Sequence, residues 1–267
     1  MQEPSRIRRA VAIGVIATAV ILGIGLVLGW KHRLRALHWA ADWIEARLLP
    51  VKQPDVPDPA TYQVLKSELE RWRVELAGRH RKARNPQVRA AIEAEARVLI
   101  EKVMPEMMRC WLGTPWDFNG IAAAPGGGKI ACGYFVSTVL QDAGFRVDRY
   151  RLAQQPSSLI LHTFLPHEQC RLTAGQDYNA FADGLQQLEA GIYLCGLDHH
   201  VGFLVVGDET FRFVHASASS PPRVVDQSRD DATALRVSNW RMIGNLSASP
   251  DVIRAWLKGD EIEVREN

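Results

Sequence analysis

Three side chains in this sequence have the types and the order that nucleophilic catalysis requires: Cys132, His200 and His215. Cys132 stands in Ile130-Ala-Cys-Gly-Tyr-Phe-Val-Ser-Thr-Val-Leu140, after a glycine-rich loop and at the head of an apolar-striped segment. Phe135, Val136, Val139, Leu140 and Ala143 fall on one helical face, and Gly144 follows as a left-handed cap would. The thiol is therefore expected in the first turn of a helix. There the unpaired N–H groups and the dipole favour a thiolate, lowering its pKa from ~8.5, and can bind the oxyanion formed when a carbonyl is attacked. A cysteine can equally be a small buried hydrophobe, so the histidines decide.

His200, Gly202, Leu204 and Val206 alternate with Val201, Phe203 and Val205, and Phe211, Phe213 and His215 alternate with Arg212, Val214 and Ala216. These are two strands, joined by a four-residue hairpin loop at Gly207-Asp-Glu-Thr210. With Val206 opposite Phe211, His215 lies opposite Gly202 and becomes the diagonal neighbour of His200, ~7–8 Å away between backbones. Gly202 leaves room between the rings. His200 would take the thiol proton, and His215 would hold its far nitrogen and fix the tautomer. His199 would point to the other face. A metal site from Cys195, Asp198, His199, His200 and His215 matches no familiar zinc spacing, and none is expected; nor is a cofactor.

Other classes fall away on composition and spacing. A net charge of +2 gives no support to nucleic-acid binding. Gly126-Gly-Gly-Lys129 fails as a phosphate-binding loop, because Ala123 occupies the first glycine position and Ile130 follows the lysine. Arg79-His-Arg-Lys-Ala-Arg84 reads as a solvated helix C-terminus. Cys110, Cys132, Cys170 and Cys195 show no paired spacing of a zinc ribbon or dithiol.

The surrounding elements read in order. Val11 to Leu28 carries no charge and is long enough to cross a bilayer, so residues 1–49 are expected to be an uncleaved membrane anchor and a following helix. Arg6, Arg8 and Arg9 before the span, and Lys31, Arg33 and Arg35 after it, leave its orientation undecided. Four prolines in 50–59 make a stiff linker. Residues 60–109 read as a helical hairpin, with stripes at Tyr62, Leu65, Leu69, Trp72, Leu76 and then Val88, Ile92, Leu99, Val103, the second helix interrupted at Pro105. Residues 110–267 form the domain that bears the three candidate residues.

That domain resembles the NlpC-type family of papain-like cysteine peptidases, which cleave peptide bonds of the bacterial cell wall. The resemblance covers roughly 111–246. Gly113-Thr-Pro-Trp116 is similar to the family's G-x-P-aromatic segment. Ala131-Cys-Gly-Tyr-Phe-Val136 stands where the family has Asp-Cys-Ser-Gly. His200-Val-Gly-Phe matches its His-Val-Gly strand, and Phe213-Val-His-Ala-Ser217 its strand for the third catalytic residue. Ala131, Gly133 and Tyr134 depart from the family pattern, and residues 149–188 are an insert expected to build a distinct substrate groove.

The resemblance implies an α+β papain-like domain, the helix of Cys132 packed on an antiparallel sheet. Cys132, His200 and His215 would form the triad, with Trp116 lining the active site and the backbone of Cys132 and Gly133 binding the oxyanion. The activity implied is cleavage of a peptidoglycan peptide through an acyl-enzyme. The enzyme would be held by residues 11–28 in a bacterial inner membrane, its domain facing the periplasm. An acyltransferase or protein-processing peptidase on the same scaffold, and a non-catalytic binding module, are the alternatives. No nucleic-acid or nucleotide partner is expected.

Overall fold

The computed structural model describes residues 55–207 and 210–266; the expected membrane span and most of the proline-rich linker lie outside them. No helix among the described residues is long and apolar enough to cross a membrane. Residues 54–267 form one compact unit.

Two long helices open it. Helix α1, Pro59–Lys82, starts with proline at its first position and an Asp58 side chain accepting from Thr61 N–H, an arrangement that satisfies one orphan donor and presets φ. Helix α2, Pro86–Arg109, repeats it with Asn85 as cap. Tyr62, Leu65, Leu69 and Leu76 are buried as the spacing predicts. In α2 the buried stripe is Ile92, Ala96, Ile100, Val103 and Met107, whereas Val88 is exposed. Pro105 does not interrupt this helix. Its flanks Met104, Met107 and Met108 are fully buried, and their packing offsets the ~3 kcal/mol that an internal proline costs. The basic run at the end of α1 is also more than a solvated terminus: Arg79 pairs with Glu95 at 2.7 Å and His80 with Glu93 at 3.0 Å, clamping α1 to α2.

The rest is an α+β arrangement around a six-stranded sheet. Helix α3, Cys132–Asp142, ends at Gly144 with φ +93, the left-handed position that glycine takes without penalty. Strand β1 (Arg146–Val147) and helices α4 (Arg149–Ala153) and α5 (Ser157–Phe164) follow. Then come β2 (Cys170–Ala174), α6 (Tyr178–Leu185), β3 (Gly191–Leu197), β4 (His200–Val206), β5 (Phe211–Ser217) and β6 (Arg223–Gln227). Helix α7 (Thr233–Val237), β7 (Trp240–Asn245), α8 (Pro250–Lys258) and β8 (Glu261–Ile262) complete the chain. The main sheet runs β2-β7-β3-β4-β5-β6, each neighbouring pair antiparallel; β1 and β8 make a separate parallel pair.

The expected hairpin register holds, with Val206 opposite Phe211 and Leu204 opposite Phe213. One sheet face, through Tyr193, Cys195, Leu204, Phe211 and Phe213, packs on Phe181, Leu185 and Leu235 of α6 and α7. The other receives α3, where Phe135 meets Phe203 edge-on at 6.0 Å. Helix α8 packs on both α1 and α2, and its Trp256 indole donates to the Ala143 carbonyl at 2.7 Å. Helix α3 is thus held between sheet and hairpin, with its N-terminus at the sheet's end beside α4.

Candidate active site

Cys132 is the first residue of α3, and the cap position is Ala131, which has no side-chain acceptor. The first N–H groups of the helix are therefore not consumed by a cap. Two anchors bring the chain to this point. Gly113–Trp116 runs along β6: Gly113 N–H donates to the Val224 carbonyl at 3.0 Å, Val224 N–H to Thr114 at 2.9 Å, and Trp116 N–H to Pro222 at 3.0 Å. The glycine-rich loop is held by Arg149. Its guanidinium is buried and donates to the carbonyls of Ile121 and Ala122 at 2.8 Å each and to the Thr138 hydroxyl at 2.7 Å. One cation thereby ties loop, α3 and α4 together, the expensive kind of burial that pays only when each donor is used.

Three strands then carry a line of polar side chains. His200 Nε2 is 2.6 Å from His215 Nδ1, and His215 Nε2 is 2.8 Å from Gln227 Oε1. His200 begins β4, His215 lies on β5 and Gln227 ends β6. The register explains the contacts. Phe213 pairs with Gln227 and His215 with Val225, so His215 and Gln227 share a face as diagonal neighbours. A Cβ at Gly202 would lie 2.8 Å from His215 Cβ and 2.8 Å from the Phe213 ring, so the glycine is what lets the two imidazoles close on each other. The Phe213 ring stacks on His215 at 4.3 Å. Ahead of β4, the turn Asp198-His199 is pinned by Asp198, whose carboxylate accepts from Ser238 Oγ at 2.7 Å and Asn239 N–H at 2.8 Å. The Ser238 hydroxyl holds that carboxyl below the ordinary range.

Cys132, Gly133 and His200 line one cleft of about 600 Å³. Its far wall is Ala153, Gln155, Pro156, Ser157, Ser158 and Ile160 from α4, α5 and the turn between them. Residues 153–160 of the insert thus supply one wall of this cleft. His199 sits at the cleft too, in the turn rather than on the strand.

No family model matches the chain, and neither does any curated protein or solved structure.

Two expectations are corrected here. Trp116 is not among the residues lining the cleft; Trp240 is. The reason is the backbone pairing of Gly113–Trp116 with β6, which commits that segment to the sheet edge. And the Cys132 thiol is not shifted down. Burial pushes it up, against the opposing backbone N–H groups of Val201, Gly133 and Cys132 itself. Burial of the half-buried residue disfavours the thiolate more than the amides favour it; α4 contributes to the crowding there, its Ala153 carbonyl lying against Gly133. Burial acts on the histidines in the same sense, lowering His200 to about 3, with the neighbouring His215 adding to it, and His215 to about 4 against the opposing Gln227 hydrogen bond. The resting site is a neutral thiol beside a neutral imidazole pair. No hydrogen bond joins the Cys132 thiol to His200 among the described residues: the imidazole pair shares the sheet face of Gly202, Leu204 and Phe213, whereas α3 packs on the face of Phe203, and both reach the cleft at the end of the sheet. Among the described residues no cluster of metal-ligating side chains is present.

Gln227 is the member of this polar chain that sequence reasoning missed. Its signal was the alternation Arg223-Val-Val-Asp-Gln227, which pairs with β5 once the turn at 218–222 is taken as the hairpin connection.

Gly133 also acquires a reason. A Cβ there would meet the Ala153 carbonyl oxygen at 2.4 Å. The close approach of α4 disfavours any side chain here, including the serine that the resemblance would place after Cys132.

Proposed function

We propose that this chain is a cysteine hydrolase on a papain-like, NlpC-type scaffold, and that it cleaves an amide bond in the peptide part of peptidoglycan. The observation that carries the reading is the His200–His215–Gln227 chain, which ends at a cleft that also holds a cysteine at an uncapped helix N-terminus. An ordinary structural histidine needs one partner. Two imidazoles in series at 2.6 Å, withdrawn from water and neutral, are a costly arrangement, and costly polar arrangements in clefts mark function.

In the reaction, the Cys132 sulfur attacks the carbonyl carbon while its proton passes to His200 Nδ1. The oxygen of the tetrahedral adduct is held by the backbone N–H groups of Cys132 and Gly133. Collapse breaks the C–N bond, and the leaving nitrogen takes the proton from His200 Nδ1. Water then adds to the thioester, its proton passing to the same nitrogen, and the acid departs as the thiol is regenerated. Because the thiol is neutral at rest, proton transfer accompanies attack rather than preceding it.

A membrane span at 11–28, as the sequence predicts, would keep the enzyme beside its wall substrate. The test is digestion of purified wall peptides followed by mass spectrometry. Wild type is expected to release amide-cleaved fragments, and Cys132→Ala and His200→Ala to release none while remaining folded by circular dichroism. Fragments released equally by Cys132→Ala would overturn the proposal.

A further inference from the structure

Gln227 decides which nitrogen of His200 is the base. We infer that Gln227 is a positioning residue: its amide oxygen, by accepting from His215 Nε2–H, sets the proton order of the whole imidazole chain. The inference rests on the hydrolase reading for its consequence, though not for its geometry.

The argument follows from donor and acceptor inventory. A neutral imidazole has one N–H and one bare nitrogen. With its oxygen rather than its amide nitrogen turned to the ring, Gln227 Oε1 lies 2.8 Å from His215 Nε2, and in that orientation the ring nitrogen carries the hydrogen. His215 Nδ1 is then bare and must accept at 2.6 Å from His200 Nε2–H. His200 in turn is left with a bare Nδ1. That is the only state in which His200 can take a proton from a thiol. Reversing any link reverses all of them: a donor in place of the amide oxygen would put the hydrogen on His215 Nδ1, force His200 Nε2 to accept, and leave His200 Nδ1–H, useless as a base.

The amide also suits the charge of the site. His215 is buried and His200 half-buried, and withdrawal from water favours the neutral form of both. A carboxylate at the same place would set the same proton order but would draw a proton onto the pair. Glutamine gives the order without the charge. When His200 becomes the imidazolium during attack, its Nε2–H already points at a bare nitrogen, so no group in the chain has to turn over. His215 and Gln227 end each cycle with the protons they began with.

The environment keeps the amide in line. Its β6 neighbour Asp226, on the opposite face, is engaged by Arg212 Nε at 2.7 Å and does not reach the chain. Phe213 of the same strand stacks on His215, and the positions paired with the two histidines on the neighbouring strands, Val225 and Leu197, are apolar. No other charged side chain contacts either ring among the described hydrogen bonds and ion pairs.

The test is nitrogen NMR of the full-length chain labelled with 15N-histidine, the signals assigned by their loss in His200→Gln and His215→Gln. It is read beside the rate at which iodoacetamide alkylates Cys132 between pH 4 and pH 9. Wild type is expected to show Nε2–H on both rings with both Nδ1 atoms bare. Gln227→Leu should mix the tautomers and slow alkylation at least tenfold, bounded above by the ~10²–10⁴ that a general base contributes. Gln227→Glu should keep the wild-type tautomers and restore the rate at high pH, with its acid limb moved to higher pH. A purely packing role would give no such rescue and no such shift.

Nδ1–H on His215 in wild type, unmixed tautomers in Gln227→Leu, or an unmoved acid limb in Gln227→Glu would each overturn the inference. Should the leucine variant not fold, the glutamate variant still decides. Alkylation indifferent to His200→Gln would instead count against the hydrolase reading, and the tautomer pattern separates the two failures.

Discussion

Acid should unfold this protein through its two paired imidazoles, and by an amount that can be worked out. His200 and His215 titrate at 6.5 when unfolded, and burial lowers them to about 3 and about 4 in the folded chain. Both folded values are depressed. The stability tied to them is therefore fully present above pH 6.5 and is lost as pH falls towards the folded values, because only the unfolded chain binds the protons. At pH 5 an unfolded histidine lies ~1.5 pH units below its pKa, which is ~2 kcal/mol each and ~4 kcal/mol for the pair. That is a large part of the ~5–15 kcal/mol of a typical domain. The assay is urea unfolding of residues 54–267 at pH 8, 7, 6 and 5, for wild type and for the double variant His200→Gln/His215→Gln. Other titrating groups cancel in the comparison. Wild type should lose ~4 kcal/mol more than the double variant between pH 8 and pH 5. Equal losses would refute the neutral pair, and with it the account of proton order.

Three substitutions test the supports of the site. Gly202→Ala would put a Cβ 2.8 Å from His215 Cβ; it should cost ~1–3 kcal/mol by overpacking and break the inter-histidine contact, and wild-type stability in thermal unfolding would contradict the packing argument. Gly133→Ser, which restores the residue expected from the family resemblance, should destabilise the chain by a similar ~1–3 kcal/mol because the Ala153 carbonyl oxygen already stands 2.4 Å from where its Cβ must go; an unchanged urea midpoint would show that α4 yields freely. Arg149→Met removes the donors to Ile121, Ala122 and Thr138; it should cost ~3 kcal/mol and expose the 121–129 loop to proteolysis, and a loop as resistant as wild type would deny Arg149 its anchoring role.

The parts of the fold that were legible are those where one local rule acts alone. The α3 stripe, its stop at Gly144 and the register of β4 against β5 all follow from period and turn length, and they suffice to place His200 next to His215. The α2 stripe was misread at Val88 because the buried face uses the small Ala96, which hydrophobic periodicity underweights. Pro105 shows tertiary packing overriding a local rule. Strand β2 is partly exposed and has little alternation, and α7 has five residues; neither carries enough pattern to be seen. Trp116 was misplaced because a short motif says nothing of the strand its backbone joins. The direction of the thiol's shift was the deeper miss. Helix position alone argues for a thiolate, but the balance depends on how far the sulfur is buried, and crowding by a distant segment such as α4 leaves no trace near Cys132.

The central claim is that His200 acts on Cys132 as its base. The most direct measurement is the rate of iodoacetamide modification at Cys132 at pH 7 in wild type and His200→Gln, located by mass spectrometry of the Cys132 peptide. A buried thiol pushed up in pKa reacts slowly unless a neighbour takes its proton, so the account expects the variant to fall at least tenfold and below free cysteine. Equal rates in the two proteins would contradict it.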